Sequence, residues 1–358
     1  MLPAIIHICL ERRLVFYFLT FFKKKLYVII RLFLYIGLVK FKKRIVMKKY
    51  KLTDETINVN GITLYRIEAL RDFNDVCKGD KGGFIENERN LSQYDDCWVY
   101  DNAMVYGKAK VYDNALVYEY ARVYGNATVY GNTEVCGKAE VCDKARVCDN
   151  ATVYDNAEVY DYAKVHGNAL VCGDAKVYGD SRVYDNAKVC GNAEVCGNAM
   201  VYGNTEVYDY AKVFDDAEVY DNASVYGDCL VYDDAEVYGD SRVYGDSRVC
   251  GNAEVYGNAR VYDNAEVCGY AEVHGDAEVH GDADVCGDAR IESMEDYIVF
   301  KNWWSSGRYF TWTRSNNMWS VGCFYGSGEE LIEKAYKDSE KSGDEYRAVV
   351  EYVENRLN

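Results

Sequence analysis

From Val99 to Arg290 the chain divides into 32 six-residue units with no insertion and no slip. Every unit opens with Val. The fifth position is Ala in 26 units and a small residue in the rest: Thr133, Ser181, Thr205, Cys229, Ser241 and Ser247. Strand residues alternate faces, so the fifth position and the first position of the next unit face the same way. These are the only dependable apolar columns, and the pattern therefore points them inward. The sixth and second positions then face out. The third and fourth positions read Gly-Asn, Asp-Asn or Gly-Asp, residues that tolerate the left-handed backbone of a tight corner. Each unit is thus one short strand and one corner, and self-similarity of this strictness outranks local propensity.

The flanks are not repetitive. In 47–98, Ile57–Val59 and Ile62–Leu64 flank Asn60-Gly61, a hairpin signal, and Tyr65–Leu70 extends the second strand. Ile85 and Leu91 are six apart, and Cys97-Trp98 leads into Val99. The spacing predicts a small β cap over 47–84 and an entry coil over 85–98. A first coil exposes unpaired backbone and must be covered. Over 293–358 the pattern predicts an α+β domain: three antiparallel strands (298–300, 308–313, 318–325) with a turn at Ser315-Asn316-Asn317. A helix opens on the capping box Ser327-Gly328-Glu329-Glu330, runs to Ser342 and stops at Gly343; Asp344 caps a second. Cys323 is expected as a buried thiol, and Trp303, Trp304, Trp312 and Trp319 as the core of this domain or as a ligand platform.

Arg71-Asp72-Phe73-Asn74-Asp75-Val76, Gly82-Gly83-Phe84-Ile85, Leu91-Ser92-Gln93 and Cys97-Trp98-Val99-Tyr100-Asp101 resemble the opening of bacterial and phage-borne hexapeptide-repeat proteins of the acetyltransferase-like class. The resemblance covers about 47–103, and those relatives begin near Met47. It implies a left-handed parallel β-helix with triangular coils of three units each, so that the 32 units make 10–11 coils. At about 4.8 Å per coil the rod is about 50 Å long. The expected fold class is therefore an all-β solenoid (99–292) with an N-terminal β cap and a C-terminal α+β domain.

Composition refines this picture. Pro3 is the single proline, as continuous backbone ladders require. Net charge is −17; residues 1–46 carry ten Lys/Arg and one Glu, so the remainder sums to −26. An acidic body lacks the basic footprint of a nucleic-acid binder. Residues 1–46 hold two apolar runs, each shorter than the ~20 residues needed to span a bilayer. They read as a stretch upstream of a true start at Met47, as a basic membrane-surface anchor, or as a targeting segment. The 14 cysteines show no CxxC or Cys/His metal spacing. Nine occupy the second position, which is read as no disulfide framework and as a reducing, cytoplasmic setting, with virion association left open.

Function must then lie in the outward columns or the end domain. The sixth position holds 12 acidic, 12 basic and eight other residues, the look of a solvated face. The second holds 19 Tyr, nine Cys, three His (His166, His274, His280) and Phe214. With three units to a coil these stack into ladders; one contains Tyr184, Tyr202, Tyr220, Tyr238 and Tyr256, and another ends in Cys250, Cys268 and Cys286. The Tyr ladder and the four tryptophans are the candidate ligand surface. Corner carboxylates offer loose Ca²⁺ ligation against the simpler reading of solvated turns. Acyl-CoA-dependent members of the hexapeptide class use a catalytic His and a projecting loop at a trimer interface. Here no loop interrupts the units, and His274 and His280 fall on adjacent faces. The expected function is a non-catalytic structural or interaction rod, of phage or prophage origin, with no cofactor and with a protein or glycan partner. The alternatives are an acetyl-CoA-dependent acetyltransferase, acting as a homotrimer, and a glycan-binding surface array. A membrane partner follows only if 1–46 is part of the protein.

Overall fold

The computed structural model describes residues 48–357. The readings made for 1–46, and the start at Met47, lie outside the described residues. Within 99–291 every unit forms a two-residue rung from its sixth position and the following Val, as in Lys110–Val111 and Glu134–Val135; Ser224–Gly227 and Arg242–Gly245 are longer. The rungs pair in parallel with those three units on, Glu134 with Thr152 and Val135 with Val153. They build three sheets. Two run 11 strands each, from Trp98–Val99 to Glu278–Val279 and from Lys110–Val111 to Arg290–Ile291. The third runs through Met104–Val105 to Asp284–Val285. The chain is thus a parallel β-solenoid with three rungs per coil.

The inward columns behave as the pattern requires. Val and Ala at these positions are fully buried along the whole rod. Each buried Val contributes on the order of 1.5–3 kcal/mol before chain entropy is counted. Between coils, the second, fourth and sixth positions donate their N–H to carbonyls of the next coil: Tyr118 to Val135, Asn114 to Gly131, Leu116 to Thr133. The corner is sharper than the sequence implied. Only the third position takes positive φ, for instance Asp149 at 64° and Gly167 at 70°. A Cβ at Gly131 would sit 2.7 Å from the Asp149 carbonyl oxygen one coil on. Acids at this position are followed one coil later by glycine, except at Asp101, Asp143 and Asp215.

Both ends are closed. β1 (Tyr50–Val59) and β2 (Ile62–Ala69) form the hairpin, with Asn60 and Gly61 at φ 50° and 86°. β2 pairs with β3 (Lys81–Ile85), which pairs in parallel with Met104–Val105 and starts the solenoid. Ile85 faces Val105 and Leu91 faces Val111, so an entry coil precedes the repeats, and the third sheet holds 12 parallel strands within its 14. Two extra residues between Leu91 and Val99 admit Lys49. Its ammonium is fully buried and donates to the carbonyls of Tyr94, Asp95 and Cys97. Burial holds its pKa below the usual lysine value. Tyr50, Phe73 and Trp98 pack edge to face across the open interior.

At the other end a four-stranded antiparallel sheet (Tyr297–Lys301, Tyr309–Thr313, Met318–Val321, Phe324–Gly326) covers the last coil. The N–H groups of His280, Asp284 and Arg290, which have no further coil to bond, donate to the hydroxyls of Tyr297, Thr311 and Ser315. The predicted third strand is two strands, because Gly322 turns the chain at φ 58°. Helix α1 (Gly328–Asp338) starts on the expected capping box, with Ser327 and Glu330 bonded reciprocally. It ends at Ser339, and Gly343 lies inside α2 (Glu340–Leu357). Gly343 is there for packing: a Cβ would fall 2.2 Å from the Tyr336 ring. Cys323 is exposed, not buried, because it sits on the turn after Gly322.

The polar intruders in the Ala column explain themselves with one exception. Thr133, Ser181, Thr205 and Ser247 donate to the carbonyl three residues back. The Ser241 hydroxyl is buried without a partner. An unsatisfied buried hydroxyl costs about 1–3 kcal/mol. Ser241→Ala is therefore expected to raise stability by about 1 kcal/mol or more, while Ser247→Ala gains nothing. Urea denaturation, with hydrogen exchange of the amides around residue 240, distinguishes the two variants.

Candidate functional site

The outward second-position residues form three ladders, starting at Tyr100, Tyr106 and Tyr112. Between Tyr184 and Tyr256 successive rings stack 4.8 to 5.1 Å apart, tilted by 2° to 5°. The phenol hydroxyls then reach the next coil. Tyr202, Tyr220, Tyr238 and Tyr256 donate to Glu218, Glu236, Glu254 and Glu272, each 16 residues on. Stacking occupies both faces of the interior rings, and in Tyr202, Tyr220 and Tyr238 the carboxylate bond also takes the polar tip. Stacked in this way, these five tyrosines present ring edges rather than open faces to solvent.

The same contacts move the phenols. Burial, then the bonded carboxylate, raises Tyr202, Tyr220 and Tyr238. Burial followed by Glu278 pushes Tyr262 up to about 12, and burial followed by the charge of Glu158 does the same to Tyr160.

The third and fourth positions carry ladders that the sequence reading missed. From Asn114 through Asn132, Asn150, Asn168, Asn186 and Asn204 to Asn222, each side-chain amide donates to the next at 2.9 to 3.1 Å. Asn at the same corner of every coil was the available signal. At the third position Asp113, Asp149, Asp155 and Asp263 accept the N–H of the equivalent residue one coil on. Those corner carboxylates cap backbone N–H groups of the neighbouring coil. A shallow acidic groove remains beside Asp228, Asp246 and Asp263.

The histidines do not converge. His166 and His274 stack on Tyr184 and Tyr256 in one ladder; His280 stacks on Tyr262 in another. The four end-domain tryptophans separate. Trp312 and Trp319 are core residues with Phe310, Leu331 and Val353, so neither is a ligand platform. Trp304 is half-buried, edge-on to Tyr346, and its indole N–H has no partner. Trp303 is 71% exposed. A small pocket lined by Asn302, Arg308, Lys334 and Tyr346 lies in this domain.

The cysteines differ from expectation. Cys172 is bonded to Cys190, and Cys268 to Cys286, each pair one coil apart with Cα atoms at 4.6 and 4.7 Å. Equivalent positions on adjacent coils fall within disulfide reach by geometry alone. A carboxylate oxygen of Asp284 lies 2.8 Å from the Cys286 sulfur.

The family model for the YdcK beta solenoid repeat matches residues 121–137 and 145–161, two stretches inside the rod. The chain is a β-solenoid repeat protein. A search of curated proteins finds no match to it. Among the described residues of this solenoid no helix is long and apolar enough to cross a membrane.

The raised tyrosines give a pH signature. A phenol whose folded pKa exceeds the unfolded value of about 10 stabilises the fold fully below that pH, and the contribution is lost as pH rises through the folded value. The tyrosine contribution to the solenoid's stability is expected to be constant up to about pH 10 and to be lost progressively through pH 12. Phenolate absorbance of the folded chain should lag that of the urea-unfolded chain over this window.

Proposed function

We propose that the chain is a non-catalytic structural or interaction rod. The supporting observation is that its outward chemistry is spent on itself. The Tyr hydroxyls bond Glu one coil on, the Asn amides bond each other, and the corner acids cap backbone N–H groups. The corners between Tyr100 and Asp288 project no loop in which a substrate would be enclosed, and fold alone does not license an activity. Partner binding then falls to what is left exposed: corner side chains such as Tyr120, Tyr210 and Tyr270, and Trp303 of the end domain. Phage or prophage origin and a virion location belong to this reading and rest on the resemblance of 47–103; a glycan partner would have to be met by the exposed aromatic side chains.

The competing reading is an acetyl-CoA-dependent acetyltransferase with its site between subunits. Calorimetric titration of the native chain with acetyl-CoA separates the two. The rod is expected to give no binding heat; saturable micromolar binding overturns it. Light scattering adds a second readout, since a monomer leaves an intersubunit site without its interface.

A further inference from the structure

Along the rod, an acid at the sixth position lies beside the second-position residue of the coil before it, as Glu254 lies beside Tyr238. Near the last coil both members of this pair are shortened. Cys268 stands in place of Tyr, and Asp284 in place of Glu; the other eleven acids of that column are all Glu. Cys286 follows two residues on. One sulfur from each cysteine and one Asp284 oxygen lie within 4.8 Å of one another, the single such trio of metal-ligating side chains found among the described residues. Asp284 is held from the far side: its N–H donates to the Thr311 hydroxyl, and Ser320 donates its hydroxyl to the second carboxylate oxygen. Asp284 makes no ion pair with Lys, Arg or His among the described residues; the neighbouring Arg248 pairs with Glu266 instead.

The second disulfide supplies the contrast. Cys172 and Cys190 have the same spacing and the same backbone geometry. The slot that Asp284 fills at the last coil is filled there by Lys188, whose ammonium pairs with Glu206 at 2.8 Å. One cysteine pair is therefore flanked by an anion and the other by a cation.

We propose that, when the Cys268–Cys286 bond is reduced, Cys268, Cys286 and Asp284 bind one soft divalent cation of the zinc type. Reduction takes two electrons and two protons from a dithiol, which leaves as its own disulfide. The cation then displaces both thiol protons to solvent and is held by two thiolates and one carboxylate, with water completing four positions. Thiolates bound at about 2.3 Å in a tetrahedral site need sulfurs a little under 4 Å apart. Cα atoms 4.7 Å apart on two rigid rungs allow that separation without moving the backbone. A two-sulfur, one-oxygen set selects zinc-like ions over calcium or magnesium.

Co²⁺ is the probe, because thiolate ligation gives it a charge-transfer band. The full chain, reduced with a phosphine and freed of metal, is titrated and followed by absorbance, with far-UV circular dichroism confirming the fold of each variant. The expected result is a one-equivalent band in the wild type. Cys172→Ser and Cys250→Ser retain it, Cys286→Ser loses it, Asp284→Asn weakens it about tenfold or more, and Zn²⁺ but not Ca²⁺ competes it away. The unreduced chain gives no band. A band of equal strength in Cys286→Ser, its loss in Cys172→Ser or Cys250→Ser, or no band in the reduced wild type overturns the assignment.

Discussion

The rest of the structure follows from one constraint: an interior so narrow that it takes Val in one column and small residues, mostly Ala, in the other. A coil of three rungs closed on these residues has no room to slip, since a shift of one residue would turn Val outward and a charged residue in. Coils therefore stack in strict register, and every outward position meets its own kind one coil away. Chemistry that would be incidental on another surface becomes a ladder here. Tyr rings stack, Asn amides chain, and cysteines fall within bonding distance, all because each residue lies over its equivalent three units on. Like charges would meet in the same way. Most third-position acids escape this by alternating with glycine, several of them also accepting a backbone N–H from the neighbouring coil. Part of the large negative charge is thus absorbed by the backbone.

The same register leaves an open edge at each end, and the chain closes the two differently. At the start, Lys49 carries a charge into a place where three carbonyls and the Cys97 thiol surround it, and the aromatic rings of Tyr50, Phe73 and Trp98 fill the hollow. At the finish, hydroxyls substitute for the missing next coil: Tyr297, Thr311 and Ser315 stand where carbonyls would have stood. Neither device repeats, so periodicity does not reveal it. Each is nevertheless required, because an uncovered solenoid end would template pairing with another chain.

How much was legible depended on whether a feature was periodic, local or neither. The columns, the three-unit coil, the Asn60-Gly61 hairpin and the Ser327 capping box were readable, because each rests on a few residues at fixed spacing. The end of α1 was misplaced because Gly343 looks like a helix stop, whereas its lack of a side chain serves the Tyr336 ring. Cys323 and the fourth strand were missed because a turn at Gly322 outweighed an apolar run. The disulfides were missed for a different reason. Cysteines in a tyrosine column were read as no disulfide framework, although the ladder already placed Cys172 over Cys190 and Cys268 over Cys286. For the Tyr column, the alternation placed the residues outward, but only the stacked geometry shows that the rings turn edges rather than faces to solvent.

In a protein of near-identical units, distinct chemistry belongs where two departures coincide. A single exchange, such as Phe214 for Tyr, leaves the ladder intact: its ring still stacks on Tyr232 at 5.0 Å. A Cys alone in the column, such as Cys142 or Cys196, lies between larger neighbours and changes little. Two cysteines on adjacent coils introduce a bond, and what lies beside them decides what else they can do. Lys188 beside one pair and Asp284 beside the other differ by two units of charge at the same place in the repeat. The backbone there is otherwise equivalent, so the difference in chemistry is attributable to that exchange and to the end domain, which contributes Ser320 and Thr311 only at the last coil. The rod sets distances uniformly, and its last coil is where side chains from outside the repeat first meet them.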